Sequence, residues 1–267
     1  MEEIHIIRFV NHITSELADS FGAKHLDVSE KNVHIIPADV WSDNEADGIF
    51  AIYEQAVLMR GTKSRIAFIH QLIHEILHFK SYGSLIAAAH HTDEKKKKLL
   101  YRHSRLGLRI RARSRKFLFT LLNEAVTEEL AIRLFQQHNI KKLYPQETSQ
   151  TEKIIRENPN PENDEVIYAE ERAGKLSGYM FGYPRSRKAL NVLIDKLYER
   201  NKSTYKDRKE IFALFARGMF SGKILNLRNL IDKTFGLGTF VKLGQSSDAE
   251  FPDEKSAEEL EYLIASL

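Results

Sequence analysis

KSRIAFIHQLIHEILHFK, residues 63–80, predicts a helix that is buried on almost every side, because apolar residues occupy most of its positions. Inside it, His74, Glu75 and His78 form the pattern H-E-x-x-H. A helix turns once in about 3.6 residues, so the two histidines lie on one face, one turn apart. Both imidazoles can reach a single zinc ion, and Glu75 can take a proton from a water molecule there.

The alternative interpretation is a buried helix whose histidines are hydrogen-bonded core residues. His70 lies one turn before His74 on the same stripe, and we interpret it as a core or supporting histidine rather than as a fourth ligand. A catalytic zinc needs three protein ligands and leaves a fourth position for water. A third ligand must therefore come from another segment.

Residues 123–128 read NEAVTE. With H-E-x-x-H, this segment resembles the gluzincin branch of the zincin metallopeptidases, which carries N-E-x-x-[ST]-[DE] on a downstream helix. The resemblance covers residues 49–135 and implies that Glu124 is the third zinc ligand. It also implies that Glu128 holds a zinc-binding histidine from behind, and Asn123 is assigned to the same supporting role. Glu124 and Glu128 are four residues apart and share a helix face. The alternative interpretation of Glu124 is that it lies on a solvated helix face and binds no metal.

The resemblance implies a zinc-dependent peptidase in which a metal-activated water attacks the peptide bond and Glu75 is the general base. Gluzincins commonly add a tyrosine or histidine donor. This chain offers Tyr179 and Tyr183, of which we select Tyr183, the alternative being a packing tyrosine beside a turn. Residues 49–59, predicted as one strand, would pair with an extended peptide or protein substrate. The match to metzincins is poorer, because their longer motif needs glycine and histidine where this chain has Ser81 and Ser84.

Length and composition set the class of protein. The chain has 267 residues, 42% of them hydrophobic and 29% charged, which suits one large domain or two small ones. It has no cysteine, as in a reducing compartment, and its N-terminus does not read as a secretory signal. Without an apolar run of about 18 residues, we expect a cytoplasmic protein and no membrane partner. A net charge of +3 does not by itself indicate nucleic-acid binding.

The predicted fold class is α+β: a zincin-like domain with a small mixed sheet and a buried active-site helix, followed by a helical C-terminal part. The domain covers residues 1–144, with an inserted segment between its two ligand helices. Residues 145–165 are rich in proline and polar residues and are interpreted as a linker or long loop. The C-terminal part, 166–244, completes the cleft with helices predicted at 186–201, 206–220 and 224–235. The acidic tail, 245–267, is either a surface helix or partly disordered.

Residues 105–113 alternate apolar and mostly basic side chains, which predicts one strand with a basic face. We favour a solvated face that resists edge aggregation. The alternative is a basic face that binds phosphate groups, and this alternative would give the protein a different function. In that case the chain is a regulatory protein, or one that binds nucleic acid or another partner, on a zincin scaffold. The intact Glu75 favours the enzyme, since a binding module needs no general base.

Overall fold

The computed structural model describes residues 3–23, 26–41, 46–93, 96–112, 116–159, 165–172, 175–246 and 254–267. In chain order its helices and strands are α1 (Glu3–Ser20), β1 (Val33–Ile36), β2 (Gly48–Ala51), β3 (Ala56–Arg60), α2 (Arg65–Lys80), β4 (Gly83–Asp93), β5 (Lys96–Leu106), β6 (Arg109–Arg111), β7 (Phe117–Leu118), α3 (Thr120–Gln137), α4 (Ile140–Leu143), α5 (Pro145–Glu157), β8 (Val166–Arg172), β9 (Lys175–Met180), α6 (Pro184–Arg200), α7 (Arg208–Ser221), α8 (Leu225–Phe235), α9 (Thr239–Gln245) and α10 (Glu254–Ser266). The predicted α+β class is confirmed.

Contacts between residues divide the chain into two units. Unit 1 comprises residues 1–17, 25–80 and 127–182, and unit 2 comprises residues 18–24, 81–126 and 183–267. The predicted domain ranges 1–144 and 166–244 each contain residues of both units. Helices α1 and α3 are continuous across the boundaries between the units.

The sheet of unit 1 has the order β1-β3-β2, with β3 parallel to β1 and antiparallel to β2. The prediction of one strand over residues 49–59 was wrong, because the chain turns between β2 and β3. Gln55 takes a left-handed conformation in this turn, with φ of 50°, and its carbonyl accepts a hydrogen bond of 2.7 Å from Asn32. The reversal makes β2 an edge strand of this sheet and leaves β3 in its centre.

Helix α2 is buried at every position from Ile66 to Lys80 except Gln71. Its first turn is capped by Glu147 of α5, whose carboxylate accepts hydrogen bonds from the backbone N–H of Arg65 (3.0 Å) and of Ile66 (3.3 Å). The negative charge satisfies N–H groups that have no partner inside the helix and opposes the positive end of its dipole. The motif helix is thus held at its start by a residue far away in the sequence.

Lys80 ends α2 and is only 5% exposed. Its ammonium group donates hydrogen bonds to the side chain of Asn11 at 2.8 Å and to the carbonyl of Leu26 at 2.6 Å. A buried cation needs such partners, and a cation at a helix C-terminus also opposes the dipole. Both ends of α2 are therefore fixed electrostatically within unit 1.

Helix α5 corrects the prediction of a linker or long loop over residues 145–165. Pro145 occupies the first turn of α5, where a proline costs no hydrogen bond. The helix turns Thr151 and Ile154 inward, and the hydroxyl of Thr151 accepts a hydrogen bond of 3.2 Å from the backbone N–H of Ala169 in β8. Residues 160–164 lie outside the described part of the chain.

Unit 2 contains a four-stranded antiparallel sheet with the order β4-β5-β6-β7, which forms the inserted segment predicted between the ligand helices. The prediction of one strand over 105–113 was wrong, because β5 ends at Leu106 and a turn follows. Gly107 occupies that turn with φ of 58°, a left-handed conformation that favours glycine. Arg113 lies outside the described residues.

The helices of unit 2 agree with the sequence analysis. The predicted helices at 186–201, 206–220 and 224–235 correspond to α6, α7 and α8. The acidic tail forms α10, which buries Ala257, Leu260 and Ile264 and binds Arg185 of α6 through Glu258 at 2.7 Å. Residues 247–253 of that tail lie outside the described part. Within the described residues, no helix has the length and hydrophobicity needed to cross a membrane.

Candidate metal centre

His74 and His78 lie one turn apart on α2 and are 5% and 7% exposed. Their Nε2 atoms are 3.1 Å apart and face each other. Two nitrogen ligands of one tetrahedral zinc ion are about 3.3 Å apart, given Zn–N bonds of 2.0–2.1 Å. The histidine pair therefore has a spacing that fits two ligands of a single ion.

Glu124, on α3, is the third member of the group. One potential ligand atom from each of His74, His78 and Glu124 lies within 4.8 Å of the others, and all three residues are buried. Two imidazole nitrogens and a carboxylate oxygen are a donor set that binds a divalent cation. This group, predicted from the two sequence motifs, could hold a metal ion.

Glu128 lies one turn after Glu124 on α3 and is 1% exposed. Its Oε2 atom is 2.7 Å from Nδ1 of His74, and its Oε1 accepts a hydrogen bond of 2.6 Å from the backbone N–H of Gly182. A carboxylate only accepts hydrogen bonds, so Nδ1 of His74 carries the proton and Nε2 is left as a lone-pair donor to a metal. Glu128 thus holds His74 in the tautomer that binds metal.

His70 approaches the same carboxylate from the other oxygen, with its Nε2 3.2 Å from Oε1 of Glu128. Its ring contacts Phe135 and Phe181 edge to face, at centroid distances of 5.7 and 5.0 Å. Burial raises the pKa of the Glu128 carboxyl, but attraction to His70 and hydrogen bonds with His70 and His74 hold that pKa well below its usual value. His70 is thus buried beside Glu128, which agrees with its interpretation as a core or supporting histidine.

Glu75 follows His74 on α2 and is 5% exposed. Its Oε1 accepts a hydrogen bond of 3.0 Å from Nε2 of Gln71, one turn earlier on the same helix. The backbone of β2 lies against this pair: a Cβ added to Gly48 would be 2.9 Å from Nε2 of Gln71 and 2.9 Å from Cγ of Glu75. Glycine at position 48 is therefore what allows the edge strand to approach the proposed base.

Tyr179, on β9, donates its phenolic O–H to Oε1 of Gln71. Tyr183, the residue selected from the sequence, precedes α6 in unit 2 with φ of 51°. The selection of Tyr183 as a donor at the metal site stays a prediction. Sequence reasoning missed Gln71 because glutamine neither titrates nor belongs to the motif, although its position four residues before Glu75 places both on one helix face.

Asn123, 1% exposed, is held in place by the turn between β5 and β6. Its Oδ1 accepts a hydrogen bond of 2.8 Å from the backbone N–H of Leu108, and its Nδ2 donates a longer one of 3.4 Å to Oε1 of Glu124. Gly107 has to be glycine here, because a Cβ at that position would come within 2.5 Å of the Asn123 oxygen. The inserted sheet thereby orients the residue beside the third potential ligand.

Basic residues of the inserted sheet contact other groups of unit 2, whereas the sequence analysis favoured a solvated face. Arg105 donates hydrogen bonds to the carbonyls of Gly218 and Gly222, at the end of α7. The guanidinium groups of Arg109 and Arg111 lie over the ring of Phe117, at 3.9 and 5.3 Å from its centroid. Both of these arginines are half-buried. They therefore pack within the sheet in addition to facing water.

The chain was compared with models of protein families, with curated proteins and with solved structures. None of the three comparisons found a match.

Proposed function

We propose that this protein is a zinc-dependent peptidase. The observation that supports the proposal most directly is the position of Glu75, a buried carboxylate in the helical turn between His74 and His78. A site that only stores or senses a metal needs the ligands but no carboxylate of this kind beside them. Nitrogen and oxygen donors with no sulfur, in a set of three that leaves a further position, are typical of catalytic zinc.

Bound zinc would supply a Lewis acid that makes water acidic near neutral pH and polarises a carbonyl group. The residues of the chain perform the remaining tasks. Glu75 accepts the proton of the attacking water and passes it to the nitrogen of the leaving amine. Glu128 keeps His74 in the metal-binding tautomer throughout the cycle.

The edge strand β2 supports a peptide as the substrate. The strand lies at an edge of its sheet, and Gly48 brings its backbone close to the side chain of Glu75. An extended peptide can add to such an edge through main-chain hydrogen bonds and so present its scissile bond to the base. This is the place that the sequence analysis gave to the whole of residues 49–59.

The alternative function was a regulatory or nucleic-acid-binding protein that uses the arginines of residues 105–113. The contacts of Arg105, Arg109 and Arg111 with carbonyl groups and with Phe117 weigh against this function, because those guanidinium groups already have partners within unit 2. We therefore keep the peptidase as the proposed function.

The proposal is tested with the purified chain, stripped of metal by a chelator and then given zinc, or magnesium as a control. A mixture of peptides of varied sequence is incubated with each form, and the products are identified by mass spectrometry. We expect cleavage only after zinc is added, and loss of cleavage when the chelator is restored. A protein that binds one equivalent of zinc yet cleaves no peptide or denatured protein would contradict the peptidase function.

A further inference from the structure

Gln71 differs from every other residue between Ile66 and Lys80, because it alone of that run on α2 is not buried. Its side-chain amide nevertheless lies within a chain of hydrogen bonds. Nε2 donates to Oε1 of Glu75 at 3.0 Å, and the Oε1 atom of Gln71 accepts from the hydroxyl of Tyr179. All three residues belong to unit 1, on α2 and β9.

The direction of this chain is fixed by chemistry. An ionised carboxylate can only accept hydrogen bonds, so Gln71 must present its NH₂ group to Glu75. Its carbonyl then faces Tyr179 and must accept, which requires the phenol to donate. Burial, helped by the negative charges of Asp47, Glu128 and Glu75, raises the pKa of Tyr179 well above 10.0, so the phenol keeps the proton that it donates.

The backbone of β2 confines the amide of Gln71 from a further side. A Cβ on Gly48 would come within 2.9 Å of Nε2 of Gln71, so the space for another orientation of that amide is small. The ring of Tyr179 is itself held against His70, with centroids 6.4 Å apart. Gln71 is therefore contacted by its own helix, by the backbone of β2 and by Tyr179.

We propose that Gln71 is a positioning residue that orients the carboxylate of Glu75 for proton transfer, and that Tyr179 acts through Gln71 by fixing the direction of its amide. This proposal rests on the proposed peptidase function. Gln71 does not belong to the group of potential metal ligands, so its removal should change turnover without changing the zinc content.

The test is a double-mutant cycle in the zinc-loaded protein. Gln71→Met keeps the length of the side chain but removes its donor and acceptor, and Tyr179→Phe removes only the hydroxyl. We expect Gln71→Met to lower kcat about tenfold with KM near the wild-type value, and Tyr179→Phe to lower it about threefold. Tyr179→Phe should add nothing in the Gln71→Met background. Gln136→Met and Tyr262→Phe, both exposed, are the matched controls and should leave kcat unchanged.

The same cycle is measured on the unfolding equilibrium of the chain, with and without added zinc. The hydrogen-bond chain predicts that the two substitutions are coupled by a factor of about five in the unfolding constant, whether or not the protein is an enzyme. Coupling in stability with no peptidase activity in the wild type would remove the proposed function but leave the hydrogen-bond chain intact. Wild-type activity with kcat unchanged in Gln71→Met, or with strictly additive losses in the double variant, would overturn the positioning role.

Discussion

Nδ1 of His74 lies 2.7 Å from Oε2 of Glu128, and both side chains are buried. This pair links the helix that carries the H-E-x-x-H pattern with the helix that carries Glu124. The carboxylate fixes the imidazole in one tautomer and one orientation, so the affinity for metal depends on a residue that does not bind the metal itself.

Glu128→Gln should therefore weaken zinc binding about 10- to 100-fold, because an amide is a poorer acceptor for the imidazole N–H. Competition with a chromophoric chelator measures the affinity. Glu129→Gln is the control, since Glu129 is the next residue on α3 and its carboxylate lies 3.9 Å from Arg133. Equal affinities for the two variants would show that Glu128 does not support the site.

Glu124→Ala should remove a ligand rather than a supporting residue. The wild-type protein should contain one zinc ion per chain by elemental analysis, and this variant should lose it while its circular dichroism spectrum is retained. The expected loss of zinc affinity is at least about tenfold, since even the mutation of a residue that only supports a ligand lowers metal affinity by that much. Full zinc occupancy in Glu124→Ala would exclude this residue as a ligand and leave the acidic side chains of the next turn of α3 to be examined.

Glu75→Gln separates metal binding from proton transfer. Glutamine has nearly the same shape as glutamate but cannot take up the proton from water. We expect zinc content near the wild-type value and peptide hydrolysis reduced at least ~100-fold. If this variant turns substrate over at the wild-type rate, Glu75 is not the general base.

Gly107→Ala tests how the inserted sheet supports the site. The added Cβ would lie 2.5 Å from Oδ1 of Asn123, which is a steric clash. Alanine would also have to adopt the left-handed φ of 58° that favours glycine. We expect a loss of about 1–3 kcal/mol in the free energy of unfolding, together with weaker zinc binding as Asn123 is displaced from Glu124. Gly83→Ala is the matched control, because nothing lies within 4 Å of the Cβ it would add. Thermal denaturation and chelator competition supply the two measurements.

Arg109→Gln and Arg111→Gln should each destabilise the protein by about 0.5–1 kcal/mol. This is the typical contribution of a cation–π interaction between a guanidinium group and an aromatic ring near the surface. In a Phe117→Leu background the same substitutions should cost less, because the ring is gone. Unfolding in urea measures both sets. Tight, salt-sensitive binding of a nucleic-acid probe that disappears in the double arginine variant would instead promote the alternative function.

Long periodic segments were predictable from the sequence, and short reversals were not. The apolar pattern of residues 63–80 leaves few options other than a buried helix, and α2 has that form. The turn at Gln55 could not be anticipated, because its left-handed conformation is adopted by a residue with no preference for it and is stabilised by Asn32, distant in sequence. The proline at 145 was interpreted as a loop signal, although it suits the first turn of a helix equally well.

The metal-ligand group was predictable because its spacing follows helix geometry, whereas the hydrogen bonds around Glu75 depend on how separate elements meet. Tyr179 and Tyr183 are close in sequence and chemically identical. Only the path of β9 decides that Tyr179 reaches Gln71. The role of Gln71 needs the tertiary structure, because a glutamine is informative only once its two partners are known.

The cap of α2 by Glu147 has a consequence for the order in which this protein acquires its structure. Glu147 lies 82 residues after Arg65, whose N–H it accepts. Ser64, whose hydroxyl accepts a hydrogen bond of 3.0 Å from the N–H of Ala67, caps α2 locally, but the helix leaves the ribosome long before Glu147 does. The N–H groups of Arg65 and Ile66 therefore lack their carboxylate partner until the large intervening loop closes. A nascent chain that ends before residue 147 therefore exposes an apolar helix that is only partly capped, and in this interval a chaperone can protect it from aggregation.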